Sequence, residues 1–430
     1  MSWSAPPISS AMPALPSQRG GRHPEILLDQ NCRIGHCENS TSAETENSEG
    51  LSVEVSFKLC DPPALSLCFA RWYDHLNGNQ RLAGEPSILG AAGAFVLLAI
   101  AFSYDGVNPL YTDYFVYRAG PGAPSLHLLP RPYQARSSMN MVAVLPIGDD
   151  DGEHYAVVFP AVVFLVLESR HHCTLHIYRS DSKAWCTRVA QIADDAETHN
   201  AVVKVALHYP TSVVYAGSGL IGWVDLWWGI LLCNVLEERP AIRFLAVPVP
   251  EPCEPTEFLV ESEYFKPRPY RQMTVYNGVM KFIELKFHRD DQGWMATTWT
   301  RLVSSDVWHQ GLTFDTSDIS VTDSSFAHLL PEILDEEKKL GWEKLIGGAP
   351  TLSLHDDDTV YIMVKMSLSH PTAFVLTVNT RSLTLESWAP CSGERVLGLE
   401  PTYVASVLSS YFGMGDYMDY LKPEANIYVN

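Results

Sequence analysis

Residues 222–233 read Gly-Trp-Val-Asp-Leu-Trp-Trp-Gly-Ile-Leu-Leu-Cys, and this stretch decides the fold. Three tryptophans fall within six positions, between two glycines, and an apolar run follows. The segment is too apolar for a surface loop and too interrupted by glycine for a long helix. We therefore expect a tight turn that joins two core strands, with Leu226, Ile230, Leu232 and at least one of the tryptophans buried.

The residues that define this signature are Gly222, Trp223, Asp225, Trp227, Gly229 and Cys233. Asp225 is its one charged residue, and a buried carboxylate must be satisfied by hydrogen bonds because bare burial of charge is costly. We expect Asp225 to have this structural role. Replacing Trp227 with Ala is expected to cost about 3–5 kcal/mol of stability rather than to abolish a chemical step.

The rest of the chain alternates short apolar runs with polar turns, which predicts strands. Three hairpins share one form, an alternating strand, a polar turn and a strand that carries Trp: residues 175–185, 283–299 and 374–388. Their tryptophans, Trp185, Trp294 and Trp388, are expected to lie about two blades apart. This pattern predicts an all-β, β-propeller-like fold of about five to seven four-stranded blades. Large sandwiches are the competing architecture.

Short helical insertions are expected at Leu330–Leu340 and at Pro401–Tyr411. Residues 1–24 are rich in Ser and Pro, which predicts a disordered tail, with organelle targeting as a weaker alternative. Residues 25–425 are expected to form a single domain. The alternative is two β subdomains, 25–250 and 270–425, which divide in the acidic, Pro-rich stretch Pro248–Pro269.

Charge and cysteine usage restrict the class of protein. The 50 acidic and 30 basic residues give a net charge of -20, which disfavours nucleic-acid binding, and we interpret the basic stretch Lys266–Arg271 as a solvated loop. The nine cysteines form no CxxC pair, which is typical of buried thiols in a reducing compartment, the cytoplasm or nucleus. No apolar segment reaches the roughly 18 residues that span a membrane.

Four local patterns could carry chemistry, and each has a plainer interpretation. Gly217-Ser-Gly-Leu-Ile-Gly222 matches a dinucleotide-binding pattern, but no helix is expected after it, so a turn is favoured. His171, His172, Cys173 and His176, and likewise Cys32, His36 and Cys37, lack the paired spacing of structural zinc ligands. The triplets Asp149–Asp151 and Asp356–Asp358 are expected to be solvated turns.

The Trp segment also resembles a known family. Trp223–Trp227 with Gly229–Cys233 is similar to the core signature of a plant domain-of-unknown-function family, number 1618, which is expanded in grasses. Cys60–Ser66, Asp113–Ala119 and Pro350–Asp358 resemble further segments, so the resemblance covers about residues 25–425. Trp228 and Asn234 depart from the usual residues of this family. Since the family has no established activity, it implies no functional residues.

Function is therefore inferred from what the motifs exclude. No nucleophile, metalloprotease or phosphate-binding motif is present, and we assign no catalytic, cofactor-binding or metal-binding residue. The favoured hypothesis is a non-enzymatic, intracellular scaffold that presents loops such as Pro248–Pro269 and Asp306–Ser325 to a protein partner. The alternative is a hydrolase or carbohydrate-active enzyme, which needs two carboxylates about 5–10 Å apart in the central channel.

Overall fold

A computed structural model describes residues 23–73, 81–82, 84–103, 111–120, 122–131, 141–148, 152–161, 172–193, 198, 208–249, 267–288, 293–321, 345–367, 369–393 and 402–412. Several sequence predictions lie outside these residues. They are the helix at Leu330–Leu340, the triplet Asp149–Asp151, His171, Cys253, and most of the N-terminal tail and of Pro248–Pro269.

The described residues form 28 strands, which group into six blades. Blade 1 holds β1 (Ile26–Asp29), β2 (Arg33–Ile34), β3 (Ala43–Glu46), β4 (Ser52–Lys58) and β5 (Leu65–Tyr73). Blade 2 holds β6 (Arg81–Leu82), β7 (Ser87–Ala92), β8 (Phe95–Ser103), β9 (Tyr111–Arg118) and β10 (Ser125–Leu128). Blade 3 holds β11 (Ala143–Ile147), β12 (His154–Ala161), β13 (His172–Arg179) and β14 (Ala184–Ile192).

Blade 4 holds β15 (Ser212–Tyr215), β16 (Leu220–Asp225), β17 (Gly229–Asn234) and β18 (Ala241–Ala246). Blade 5 holds β19 (Arg271–Tyr276), β20 (Val279–Phe287), β21 (Trp294–Leu302) and β22 (His309–Asp315), followed by a 3-10 helix at Thr316–Asp318. Blade 6 holds β23 (Ser320–Val321), β24 (Ile346–Leu352), β25 (Thr359–Lys365), β26 (Thr372–Asn379) and β27 (Thr384–Ser392). The last strand is β28 (Tyr403–Ser406), and a second 3-10 helix covers Leu408–Tyr411.

The two ends of the described chain close the ring. β28 pairs antiparallel with β1, with Ile26 opposite Ser406 and Asp29 opposite Tyr403, and it thereby joins blade 1. The strands β7, β11, β15, β19, β24 and β28 contact one another in succession, so they line the centre of the ring. The architecture is β-propeller-like, as the sequence predicts.

The core is divided among the blade interfaces. Six buried apolar clusters lie between successive blades, and one of them joins blade 6 to blade 1 through Leu27, Tyr361 and Tyr403. A strand covered on both faces has no solvated side to alternate toward. This explains why β8 and β16 read as continuous apolar runs and are buried almost throughout.

The helix expected at Pro401–Tyr411 is wrong. Residues 403–406 form a strand, and only Leu408–Tyr411 form a short 3-10 helix. The gain from pairing with β1 outweighs the weak local preference for a helix in this segment, which includes the β-branched Val404 and Val407. Among the described residues, no helix has the length and apolar character required to cross a bilayer.

Candidate functional site

The signature stretch forms a hairpin of blade 4, which we call the Trp hairpin: β16, the turn Leu226–Trp228 and β17. Trp223 lies opposite Leu231, and Asp225 lies opposite Gly229. The preceding glycine pattern forms the turn between β15 and β16, where Gly217, Ser218 and Gly219 all have positive φ. The chain continues from this turn into a strand and not into a helix, so the pattern lacks the geometry of a dinucleotide-binding loop.

Trp223 is the tryptophan that anchors the hairpin. It is 1% exposed, and its Nε1 donates to the backbone oxygen of Met141 at 2.9 Å. Met141 precedes the first strand of blade 3 in the sequence. The Nε2 atom of buried His208 lies 2.8 Å from the Trp223 oxygen, and burial lowers the His208 pKa to about 4. The expected burial of Leu226, Ile230 and Leu232 is also confirmed, at 4%, 0% and 1% exposed.

The two glycines allow the hairpin to pack closely against its neighbours. A Cβ at Gly222 would collide with the side chain of Ile230, and one at Gly229, where φ is +154°, would collide with the backbone oxygen of Leu245. Cys233 is buried between blades 3 and 4, and desolvation raises the pKa of its thiol. A buried neutral thiol is a poor nucleophile, so Cys233 contributes packing.

Asp225 holds the turn of the Trp hairpin. Its Oδ1 accepts from the backbone N–H of Trp227 at 2.9 Å and from that of Trp228 at 3.3 Å, and its Oδ2 accepts from the backbone N–H of Tyr209 at 3.0 Å. Burial raises its pKa to about 6, although these hydrogen bonds act in the opposite direction. Three backbone donors thus satisfy the buried carboxylate, and the structural role expected for Asp225 stays a prediction.

Arg271 joins this turn to blade 5. Its Nε and Nη2 both donate to Glu284 Oε1, at 3.0 and 2.5 Å, and its Nη1 donates to the backbone oxygen of Leu226 at 3.3 Å. The guanidinium carbon lies 4.7 Å from the ring centroid of half-buried Trp227. Arg271 is only 5% exposed, so the interpretation of Lys266–Arg271 as a solvated loop is wrong at its last residue. The loop ends at Arg271 because β19 begins there and carries the side chain into the interface.

The carboxylates of the triplet Asp356–Asp358 serve structural contacts. The loop between β24 and β25 contains Asp356–Asp358, of which Asp357 contacts Lys281 at 2.6 Å and Asp358 contacts Arg381 at 2.8 Å. Asp356 Oδ1 accepts from a backbone N–H of the same loop at 2.9 Å. The expected turn before a strand is confirmed for this triplet.

Glu25 is a buried carboxylate that the sequence did not single out. It is 0% exposed, and it accepts from the backbone N–H of Leu354 at 2.6 Å and from the Tyr361 hydroxyl at 2.9 Å. Burial raises the pKa of Tyr361, so its hydroxyl keeps the proton that it donates. This contact ties the start of blade 1 to blade 6.

The candidate metal ligands are dispersed. His36 contacts Glu54 at 2.6 Å, whereas Cys32 lies in the core beside Cys68. Cys173 is 1% exposed and burial raises its pKa to about 12, whereas His176 Nδ1 lies 3.1 Å from Thr187 Oγ1. Within the described ranges, no three His, Cys, Asp or Glu side chains form a potential metal site.

The exposed apolar side chains are concentrated on one blade. Among the described residues, seven large hydrophobic side chains are exposed, and four of them belong to the two outer strands of blade 5 or the loop between them. These four are Met295, Leu302, Val307 and Leu312, at 36%, 53%, 57% and 44% exposed. We call them the blade-5 outer surface. The blade-5 outer surface could not be predicted from the sequence, because the sequence of a strand does not show which of its faces a neighbouring blade covers.

Comparisons with known proteins give a family and a distant likeness of fold. No curated protein matches the chain by sequence. Similar solved structures include the WD40 domain of SCAP from fission yeast, at 9% identity and a TM-score of 0.30, covering 86% of this chain and 85% of that one. They also include an alpha-L-arabinanase from Penicillium chrysogenum, at 7% identity and a TM-score of 0.24, covering 87% and 99%. These scores are low, so the fold rests on the sheets described above.

The family match falls on the half of the ring that contains the Trp hairpin. The family described as "Protein of unknown function (DUF1618)" matches residues 223–361, from Trp223 in β16 to Tyr361 in β25. The wider coverage of residues 25–425 stays a prediction. Residues 223–361, which include the turn held by Asp225 and its contact with Arg271, are thus the part of the chain that matches the DUF1618 family.

Proposed function

We propose that this protein is a non-enzymatic scaffold that binds a protein partner through the blade-5 outer surface. The observation that carries the proposal is the concentration of Met295, Leu302, Val307 and Leu312 on one blade. Scattered apolar residues are normal on a protein surface, but a concentration of them commonly marks an interaction site. Val307 and Leu312 also fall within Asp306–Ser325, which the sequence predicted to be a partner-binding loop and in which the structure instead places β22 and β23.

The disposition of the carboxylates supports a non-catalytic role. Asp225 accepts from three backbone N–H groups, Glu284 pairs with Arg271, and Glu25 accepts from Tyr361. Each of these acids has a structural task at a blade interface. A glycoside hydrolase would instead require two carboxyl groups facing one substrate.

Charge and thiol chemistry support the class of partner and the compartment. A net charge of -20 repels phosphate backbones, so we propose a protein and not a nucleic acid as the partner. The eight cysteines in the described part of the chain are all free, and Cys32, Cys68, Cys173 and Cys233 are buried. This usage supports a reducing compartment, the cytoplasm or the nucleus.

The test is proximity labelling in the native tissue with three forms of the full chain. These are the wild type, the double variant Leu302→Glu/Leu312→Glu, and the control Val189→Glu. Val189 is 49% exposed on β14 of blade 3, so the control places a carboxylate on a comparable strand position away from blade 5. We expect a defined set of neighbours with the wild type and the control, and at least a tenfold loss with the double variant, the size expected for interface anchors.

Two results would overturn the proposal. One is an unchanged set of neighbours for the double variant when its thermal midpoint equals that of the wild type. The other is turnover of a glycoside by the purified wild-type chain that is lost on replacing a channel carboxylate, which would favour the hydrolase alternative.

A further inference from the structure

We infer that β22 binds an extended, basic segment of the partner protein by strand addition. The inference rests on the proposed scaffold function and gives it a binding mode. Strand addition needs a sheet edge that is long, exposed and open on one side.

Four strands end the described sheets on the outer side of the ring: β3, β10, β22 and β23. β3 and β10 have four residues each and β23 has two, whereas β22 has seven. Blades 3 and 4 join at their outer edges, where β14 pairs parallel with β18 at Gln191 and Ile192. Of the four strands that end a described sheet on the outer side, β22 is the longest.

The sequence of β22 gives this edge little protection. Natural sheets guard their edges with Lys, Pro, short strands or bulges, and His-Gln-Gly-Leu-Thr-Phe-Asp has none of the first three, although the β21–β22 pair has a register shift. The first five residues, His309–Thr313, are all exposed, and Leu312 is an exposed apolar residue in their midst. β3, in comparison, carries the charged residues Glu44 and Glu46.

The hydrogen bonds of β22 show which backbone group faces outward. The N–H of Leu312 donates across the sheet to Thr298 Oγ1 at 3.1 Å, beside the register shift between Thr297 and Trp299. From Thr313 to Asp315 the register is regular, and the N–H of Asp315 donates to Asp318 Oδ2 at 3.3 Å and not to β21. Since every second N–H of a regular strand points the same way, the N–H of Thr313 also faces away from β21. The Thr313 hydroxyl lies 3.1 Å from Thr297 Oγ1 on β21, so it does not occupy the outward-facing N–H of Thr313.

Charge favours a basic segment of another protein over a second copy of this chain. Residues 303–321 contain three Asp and no Lys or Arg. Arg243 and Arg301 contact Asp306, and His288 contacts Asp315 at 2.8 Å, so the acidic charge at the far end of β22 comes from Asp318 and from Asp315, which His288 shares. Two copies, each of net charge -20, would place like charges side by side.

The experiment uses the full chain and a fluorescein-labelled peptide of alternating Lys and Val, with a Glu-Val peptide as the charge control. Thr313→Pro removes the outward N–H, and Thr313→Val is its matched control, because both lose the hydroxyl but only Val keeps the N–H. Pro is tolerated at an edge strand. Fluorescence anisotropy should show binding of the Lys-Val peptide by the wild type and Thr313→Val, at least tenfold weaker binding by Thr313→Pro, and weakening as salt rises.

Hydrogen exchange of the wild type provides a readout that needs no variant. We expect the Lys-Val peptide to slow exchange of the amides in residues 309–315, which tests the inference even if Thr313→Pro does not fold. The inference is overturned if neither peptide binds, if Thr313→Pro binds as well as Thr313→Val, or if the wild type sediments as a dimer that Thr313→Pro dissociates. If Thr313→Pro binds as well as Thr313→Val, strand addition is excluded. The scaffold proposal still stands in that case, provided that the Leu302→Glu/Leu312→Glu variant loses the proteins labelled around the wild type in tissue.

Discussion

Trp223 offers the sharpest test of how the Trp hairpin stabilises the ring. Its side chain is 1% exposed between blades 3 and 4, and Nε1 donates to the Met141 oxygen at 2.9 Å. Replacing a buried Trp with Ala removes its packing and leaves a cavity, for which about 3–5 kcal/mol is typical. The lost hydrogen bond leaves the carbonyl of the buried Met141 without this donor, which adds roughly 1 kcal/mol. We expect Trp223→Ala to lower the free energy of unfolding by about 4–6 kcal/mol.

Two companion variants separate the contributions. Trp223→Phe keeps most of the apolar volume and loses the Nε1 donor, so about 1–2 kcal/mol is expected. Trp227→Ala removes a half-buried ring over Arg271, a contact worth about 0.5–2 kcal/mol. The cost of about 3–5 kcal/mol that the sequence assigned to Trp227 therefore belongs to Trp223.

Urea unfolding followed by circular dichroism measures all three variants, with the same slope against urea required for a valid comparison. A loss for Trp227→Ala as large as that for Trp223→Ala would refute the reasoning, since burial would then not determine the cost. A loss below about 2 kcal/mol for Trp223→Ala would show that blades 3 and 4 close around the missing ring.

Further variants test three polar contacts, those of Asp225, Glu25 and Arg271. Burial raises the Asp225 pKa from 3.8 to about 6, so the folded state binds this proton more tightly than the unfolded state, and stability falls as pH rises through this range. Asp225→Asn should abolish this part of the pH dependence, about 3 kcal/mol, in urea unfolding between pH 4 and 7. Glu25→Ala leaves the buried Tyr361 hydroxyl without its acceptor and should cost about 2–4 kcal/mol by thermal unfolding, whereas Tyr361→Phe should cost about 1–2 kcal/mol. Arg271→Ala leaves the buried Glu284 carboxylate with the exposed Lys286, at 3.4 Å, in place of its buried partner and should cost about 3–5 kcal/mol, with partial recovery in the double variant that adds Glu284→Gln.

Local hairpins could be predicted from the sequence because short turns determine them. The hairpins at residues 175–185 and 374–388 are β13–β14 and β26–β27, the third and fourth strands of blades 3 and 6 when strands are counted outward from the centre of the ring. Lys183 and Leu383, each the residue before the second strand, have φ of 51° and 53°. The shared left-handed residue shows that the two turns are equivalent, which their sequences indicate only weakly.

The spacing of the repeat was predicted less well. Trp294 lies on the third strand of blade 5, whereas Trp185 and Trp388 lie on fourth strands. Trp294 and Trp388 are therefore one blade apart and not two. Residues 322–344, between β23 and β24, lengthen the sequence there without adding a blade to the described sheets. The number of residues between two tryptophans therefore does not show how many blades lie between them.

The contacts between blades could not be predicted because they join residues far apart in sequence. Glu25 and Tyr361 are 336 positions apart, and β1 meets β28 across almost the whole chain. The Arg271–Glu284 pair was hidden for a different reason. A charged residue next to a basic, Pro-rich loop is usually solvated, and only the position of β19 beside the Trp hairpin buries it.

The boundaries of the family match show that residues 223–361 depend on the rest of the ring. The match begins at Trp223, in the middle of β16. The indole N–H of Trp223 donates to the backbone oxygen of Met141, which precedes the first strand of blade 3 in the sequence. The match ends at Tyr361, in the middle of β25. The hydroxyl of Tyr361 donates to Glu25, which precedes the first strand of blade 1 in the sequence. A fragment cut at these positions would divide two strands and expose the apolar faces that blades 3 and 1 cover. The matched range is thus a part of the propeller and not a unit that can close by itself, and binding to β22 has to be measured on the full chain.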